Sequence, residues 1–287
     1  MLSIISQGLL WAILGLGIFM TFRILNFPDM TIEGSFPLGG AVAVTLITKG
    51  VSPLVATGIA ILAGCLAGLV SGLLYTKGKI PTLLSGILVT SSCHSIILMV
   101  MGRANLGLLN FPVIQDSLPF SARTNELVLG VLVLILVIGF QITFLDTRLG
   151  QAYIATGDNR DMAKSFGIDT DKMELMGLVL SNGIVALAGA LIAQQEGSAD
   201  VSRGIGIIVI GLASLIIGEV MFNNLTLLER LITIAVGAIA YQFLFWTVIR
   251  LGFNTSYMRI YSALILGICL VIPELKAKFF KGVRITK

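Results

Sequence analysis

Residues 53–76 read PLVATGIAILAGCLAGLVSGLLYT, a run of 24 residues without one charged side chain. An α-helix of that length spans about 36 Å, enough to cross a hydrocarbon core of about 30 Å. Gly64, Gly68 and Gly72 recur every four residues and share one helix face, which a second helix can approach closely. The stretch is typical of a transmembrane helix. Packing within the chain is the favoured interpretation of its glycine face, and a seam between two copies is the alternative.

Eight further apolar blocks follow along the chain. The nine predicted transmembrane segments are residues 4–22, 31–48, 53–76, 81–101, 127–145, 173–194, 204–222, 228–250 and 258–275. Of the 287 residues, 56% are hydrophobic and only 12% are charged, about half the charged fraction of a soluble domain. The sequence therefore predicts an all-α, polytopic membrane bundle that forms one transmembrane domain over residues 1–287.

The orientation of the bundle is predicted from the positive charges between the blocks. One alternate set of gaps, with the basic tail 276–287, holds thirteen Lys and Arg, and the other set holds six. Cytoplasmic loops carry the excess of positive charge, so the richer set is predicted to lie inside. Residues 1–22 contain no Lys or Arg, which favours a retained first span over a cleaved signal. The N-terminus is then outside and the C-terminus inside a cell membrane.

Several function classes are excluded by what the sequence lacks. Lys and Arg form no basic stripe with interleaved aromatics, which argues against nucleic acid as a partner. The Gly78–Lys79 pair is followed by Ile80 and does not complete a phosphate-binding loop. His94 is the single histidine, and we expect it to be a hydrogen-bonded interior residue. The sequence predicts no catalytic centre, metal site or cofactor in this chain.

Two segments interrupt the apolar pattern. The first broken segment (residues 26–40) holds two prolines, three glycines and two carboxylates, and the second (residues 196–219) is rich in glycine and charge. Irregular backbone at membrane depth persists only where protein buries it or where it lines a water-filled cavity. Transporters often carry such interruptions in both halves, facing a translocation path. The residues predicted to line that path are Asn26, Asp29, Glu33, Gly34, Asp200, Gly206 and Gly211.

The carboxylates of these two segments also allow an alternative role. Asp29 and Asp200 could cap helices at an interfacial turn, and Glu33 could pair with Arg23. The occurrence of two such segments favours the path, because blocks one to four and six to nine run in opposite senses. That arrangement is what an inverted repeat requires.

A long inside gap, residues 146–172, carries nine charged residues. Asp158 is predicted to cap a short helix over residues 159–166, and Gly167 to end it. Met162, Ala163 and Phe166 would form a small apolar face on that helix. Such a helix could lie on the lipid surface or dock into a groove of a cytoplasmic partner.

The order T-x-L-G, A-x-G-x-N-x-x-x-A-x-x-x-G-I from Thr147 to Ile168 resembles the coupling segment of ATP-binding-cassette permeases of the branched-chain amino-acid and ribose type. The two broken segments are similar to those of the same family, and the resemblance covers nearly the whole chain. It implies a bacterial importer subunit for a small solute, with an amino acid as the expected cargo. The residues that would contact the ATPase are those of the coupling segment (residues 155–167): Gly157, Asp158, Asn159, Met162, Ala163, Phe166 and Gly167.

The resemblance also implies the partners. It predicts a second permease copy in a homodimer, an ATPase subunit that binds ATP and magnesium, and an external substrate-binding lipoprotein. The permease itself would be a translocation subunit and not an enzyme. The competing interpretation is an ion-coupled secondary transporter, in which the intramembrane carboxylates would be ion or proton sites.

Overall fold

The computed structural model describes residues 2–117, 119, 121–222 and 226–251, together with five positions between 260 and 267; only the backbone of residues 122 and 123 is described. The helices are α1 (Leu2–Ile18, continued by a π-helical turn Phe19–Ile24), α2 (Ile32–Thr48), α3 (Pro53–Thr76), α4 (Thr82–Met101), α5 (Ala122–Leu145), α6 (Arg148–Asp158), α7 (Arg160–Ser165), α8 (Thr170–Glu196), α9 (Ile207–Met221) and α10 (Leu227–Arg250). Two three-residue strands, β1 (Asn105–Gly107) and β2 (Ser198–Asp200), pair antiparallel. Short 3-10 turns cover Ile114–Ser117 and Val201–Gly204.

Seven helices within the described residues are long and apolar enough to cross a membrane, and α2 is a shorter apolar helix beside them. These eight elements coincide with the first eight predicted blocks, so the all-α polytopic bundle is confirmed. The ninth predicted block, residues 258–275, falls mostly outside the described residues, and the count of nine stays a prediction. The chain is a multi-pass membrane protein.

Helix α8 lies at the centre of the bundle and packs along α1, α2 and α3. The glycine face predicted on α3 is part of this packing: Gly68 lies against the backbone carbonyl of Leu178, and Gly64 against that of Asn182. Gly72 meets the side chain of Leu175. The face is therefore used within the chain, as the favoured interpretation predicted.

We expect the change Gly68→Ala to destabilise the bundle by about 1–3 kcal/mol, since a Cβ there would overlap the Leu178 carbonyl and force α3 away from α8. The matched control is Gly58→Ala on the same helix, where an added Cβ meets nothing within 4 Å. Thermal unfolding of both variants in detergent measures the difference. Equal melting temperatures would show that the α3–α8 contact is not tightly packed.

The ends of the helices sort into two sides. On one side β1, after α4, pairs with β2, after α8, and Ser6 near the start of α1 contacts Glu126 near the start of α5. On the other side Arg23 at the end of α1 pairs with Glu219 at the end of α9, at 2.9 Å. We call these the strand side and the coupling side, because the coupling segment lies on the second. The loops on the two sides are the same two alternate sets of gaps whose Lys and Arg residues were counted to predict the orientation.

Candidate functional site

The first broken segment is an extended stretch that leads into α2. Asp29 is only 5% exposed, and its Oδ1 accepts a hydrogen bond from the Thr31 N–H at 2.8 Å. Its Oδ2 accepts from Nδ2 of Asn182 at 2.7 Å, and the Asn182 Oδ1 accepts from Ser35 Oγ at 2.6 Å. Asp29 therefore forms a turn just before α2 and links that turn to α8 inside packed protein. It does not cap α2, which begins after Thr31 without a side-chain cap, whereas Asp200 does cap the short turn Val201–Gly204.

Asn26, which the sequence assigned to the path, lies beside the coupling segment. Its backbone has a φ of +52°, and its Nδ2 donates a hydrogen bond to the Gly157 carbonyl at 3.1 Å. The structure thus brings the beginning of the first broken segment to the coupling segment. Gly211 also lies away from the described cavities, because it packs against the side chain of Ile18 on α1.

The two broken segments meet in the structure. Oε1 of Glu33 accepts a hydrogen bond from the Gly206 N–H at 2.9 Å, and Gly204 lies directly against the Glu33 carbonyl. Glu33 and Gly34 line a small cavity of about 50 Å³ with His94 and Gly204. His94 is exposed, so the expectation of an interior histidine was wrong.

The second broken segment turns sharply between α8 and α9. Gly197 ends α8 with a φ of +68°, and Gly206 precedes α9 with a φ of +80°, a conformation that suits glycine. Between them Asp200 accepts hydrogen bonds from Nδ2 of Asn105, at 3.1 Å, and from the Ser202 N–H, at 2.7 Å. Partial burial raises the pKa of Asp200, but a hydrogen bond from the Ser202 hydroxyl, together with those from Asn105 and the Ser202 N–H, outweighs burial and holds its pKa below the usual value. Asp200 is therefore charged at neutral pH.

A cavity of about 490 Å³ opens beside this turn. The turn contributes Glu196, Asp200 and Arg203, and Arg203 forms an ion pair with Glu196. Trp11 of α1 and Tyr241 and Phe245 of α10 contribute aromatic rings. We call this space the turn cavity. Of the predicted path residues, the structure places Asp200 on the turn cavity and Glu33 and Gly34 on the smaller one.

The coupling segment, together with the part of α6 that leads into it, is fixed to the coupling side of the bundle by three kinds of contact. The buried Tyr153 hydroxyl on α6 donates to the Met20 carbonyl at 2.6 Å. Gly157 lies directly against the Ile24 carbonyl, where a larger residue would not fit. The Arg160 guanidinium pairs with Asp171 at 2.8 Å and with Glu174 at 3.1 Å, at the start of α8.

Helix α7 agrees with the predicted position but not with the predicted cap. Asp158 is the last residue of α6, and the side chain that starts α7 is Asn159, whose Oδ1 accepts from the Met162 N–H at 3.0 Å. The prediction missed α6, which ends where α7 was expected to be capped. Gly167 does end the helix as predicted, with a φ of +81°.

The apolar face of α7 is smaller than predicted. Ala163 is 1% exposed and faces the bundle, whereas Met162 is 52% and Phe166 74% exposed. The short helix thus presents two large apolar side chains away from the rest of the described chain. Because its other side is anchored, those two side chains have a fixed position.

We expect Asn159→Ala to weaken the start of α7 by about 1 kcal/mol, because the Met162 N–H loses its acceptor. Hydrogen exchange of the amides in residues 160–165 should then be about fivefold faster. Asp158→Ala is the control, since Asp158 does not cap α7, and it should leave that exchange unchanged. Faster exchange in the control alone would restore Asp158 as the cap.

The turn cavity meets α1 near the middle of the helix, and the coupling segment meets the end of its π-helical continuation. Trp11 lines the cavity, and Ile24, thirteen residues later, contacts Gly157. At 1.5 Å per residue the two contacts are about 20 Å apart along the helix. One continuous span therefore connects the strand side, where the cavity lies, with the coupling side.

Comparison with known proteins agrees with this architecture. A family model described as the permease component of branched-chain amino acid transport systems matches residues 1–272. The chain is 39% identical over 265 residues to a tyrosine transport system permease protein of Clostridioides difficile (strain R20291), covering 92% of this chain and 88% of that protein.

Two further similarities extend over nearly the whole chain. It is 30% identical over 276 residues to an uncharacterized protein of Rickettsia prowazekii (strain Madrid E), covering 95% of each. Among solved structures, PsaBC from Streptococcus pneumoniae in complex with a Fab aligns with a TM-score of 0.52 at 16% identity, over 93% of this chain and 88% of that one. At that identity the likeness shows the fold alone.

Proposed function

The chain belongs to the family of branched-chain amino acid transport permeases, and on that premise we propose that it is the translocation subunit of a bacterial ATP-binding-cassette importer. In this proposal a separate ATPase hydrolyses ATP on the coupling side. An external binding lipoprotein delivers the solute to the strand side. Two copies of the permease form the path between them.

The observation that carries the proposal is the geometry of the coupling segment. The coupling segment carries a small helix, α7, with two exposed apolar side chains, and Gly157 at the end of the preceding helix α6 accepts a hydrogen bond from Asn26 of the first broken segment. An apolar face with a fixed position suits a groove of a partner protein. Movement of the partner would then reach the membrane segments through a direct backbone contact.

The proposed solute is an amino acid. The relative from Clostridioides difficile is named for tyrosine transport, and it covers most of this chain. The predicted path residues that line the described cavities, Glu33, Gly34 and Asp200, lie where the two broken segments meet. We propose that this junction lines the path.

Reconstitution tests the proposal. Proteoliposomes that contain the permease with its ATPase, supplied with the binding lipoprotein, should take up labelled tyrosine when ATP is present inside them. Uptake should persist when ionophores abolish ion gradients. Uptake that needs an ion gradient and ignores ATP would support the ion-coupled rival.

Orientation is tested separately by cysteine labelling. We propose that the strand side faces outward in the bacterial cell membrane, as the charge count predicts. In a cysteine-free background, Ser121→Cys should react with an impermeant reagent added to intact cells, and Thr286→Cys in the basic tail should not. Labelling of Thr286→Cys from outside would invert the orientation.

A further inference from the structure

The turn cavity combines groups that match the chemistry of one class of small molecule. Its lining carries a cation, two carboxylates and three aromatic rings, which between them can bind an ammonium, a carboxylate and an aromatic side chain. We infer that the turn cavity is a binding site on the permease itself for a zwitterionic amino acid with an aromatic side chain. This rests on the proposed function and adds a substrate class and a site to it.

The charged groups come from the turn between α8 and α9. Arg203 pairs with Glu196, but a guanidinium carries five N–H donors, so further donors remain for a ligand carboxylate. Asp200 is held in place by Asn105 and Ser202 and offers an acceptor for a ligand ammonium. Ionisable side chains in membrane segments are costly unless they are paired, and they commonly mark solute or ion pathways.

The aromatic groups come from α1 and α10. Trp11 is 8% exposed and stacks on Phe36 with ring centroids 5.8 Å apart, so its ring is fixed. Tyr241 and Phe245 lie one turn apart on α10, with centroids 6.5 Å apart. Tyr241 is almost fully buried and Phe245 is half-buried, so Phe245 is the more accessible of these two rings for an edge or offset contact with a ligand ring.

The size and position of the cavity fit the same ligand. Small-molecule sites commonly measure about 300–1,000 Å³, and the turn cavity, at about 490 Å³, falls within that range. It lies on the strand side, about 20 Å along α1 from the contact with the coupling segment. A solute released there from outside would reach this site before crossing.

Binding can be followed through Trp11. The chain contains two tryptophans, so Trp246→Phe leaves Trp11 as the reporter in the full-length permease in lipid nanodiscs. L-tyrosine should change the Trp11 emission in a saturable way. Tyramine, 3-(4-hydroxyphenyl)propionate and L-serine should each bind about ten- to hundredfold more weakly, because each lacks one charged or aromatic contact. This ligand series needs no further variant and does not depend on the folding of one.

A variant then assigns the carboxylate contact. Arg203→Gln should weaken L-tyrosine binding about tenfold or more and leave the binding of tyramine unchanged, since tyramine has no carboxylate. Arg250→Gln is the matched control, because Arg250 is the last residue of α10 and is not among the residues that line the turn cavity. Equal binding of L-tyrosine, tyramine and L-serine, or no saturable change, would overturn the assignment.

The importer function and the amino-acid site in the turn cavity can be contradicted separately. ATP-driven tyrosine uptake without selective binding at Trp11 would remove the site and leave the importer intact. Selective binding without ATP-driven uptake would remove the importer and leave an amino-acid site on a transporter of another kind.

Discussion

Replacing Phe166 by Ala should weaken association between the permease and its ATPase by about 2 kcal/mol, roughly thirtyfold in Kd. Phe166 is 74% exposed on a helix whose opposite side is anchored, and a buried aromatic usually dominates a small interface. ATP-driven uptake should fall with the association. The membrane bundle should remain folded, because the Phe166 side chain makes little contact with it. Co-purification of the ATPase with the variant measures the effect.

Phe111→Ala is the matched control for this prediction. Phe111 is also an exposed aromatic, but it lies in the gap after α4, on the strand side. Its loss should leave ATPase association unchanged. If Phe166→Ala associates and transports like the wild type, Phe166 is not the anchor of the interface.

The second large effect is expected from Gly157→Ala. A Cβ at this position would overlap the Ile24 carbonyl and come within 2.9 Å of the Leu25 Cα. The coupling segment must then shift away from the end of α1, at a cost of about 1–3 kcal/mol. We expect the ATPase still to bind through Phe166, since α7 itself is unchanged. ATP hydrolysis should continue while uptake is lost, because the contact with the first broken segment is disturbed.

Gly139→Ala provides the comparison, as an added Cβ on that residue of α5 meets nothing within 4 Å. It should keep the wild-type ratio of solute molecules transported to ATP hydrolysed. Measuring uptake and hydrolysis in the same proteoliposomes gives that ratio for both variants. A normal ratio in Gly157→Ala would mean that force reaches the membrane segments by another contact.

The membrane bundle could be predicted because a helix must be about 20 apolar residues long to cross a bilayer, and the apolar blocks have that length. Long uncharged runs such as residues 53–76 have few alternatives in a 287-residue chain. The packing of Gly68 could be predicted for a related reason, since glycines spaced by four create a flat face. The two broken segments were also visible, because Pro, Gly and carboxylates interrupt the apolar pattern.

The roles of individual residues were harder to predict. Residues that are close in sequence and similar in chemistry can have different roles, which depend on where the fold places them. Asp158 and Asn159 are both good caps, and the choice depended on α6, whose sequence has no long apolar run. Asn26 and Asp29 are three residues apart, yet one contacts the coupling segment and the other is buried against α8. Sequence spacing does not reveal such a change of direction in extended backbone.

None of the aromatic residues that line the turn cavity was predicted from the sequence. Trp11, Tyr241 and Phe245 lie in apolar blocks, where an aromatic residue usually packs in the core or faces lipid. Arg203 and Glu196 were visible in the second broken segment, but their ion pair depends on the turn between α8 and α9. Only the fold brings residues 11, 203 and 241 to one space.

The central claim is that force enters this protein through the coupling segment. Replacing residues 159–167 by a flexible Gly/Ser linker of the same length removes α7 and both exposed apolar side chains while leaving the membrane helices intact. ATP-driven uptake in proteoliposomes that contain the ATPase and the binding lipoprotein is the decisive measurement. We expect uptake to fall to background. Uptake at the wild-type rate would contradict it and favour an ion-coupled transporter.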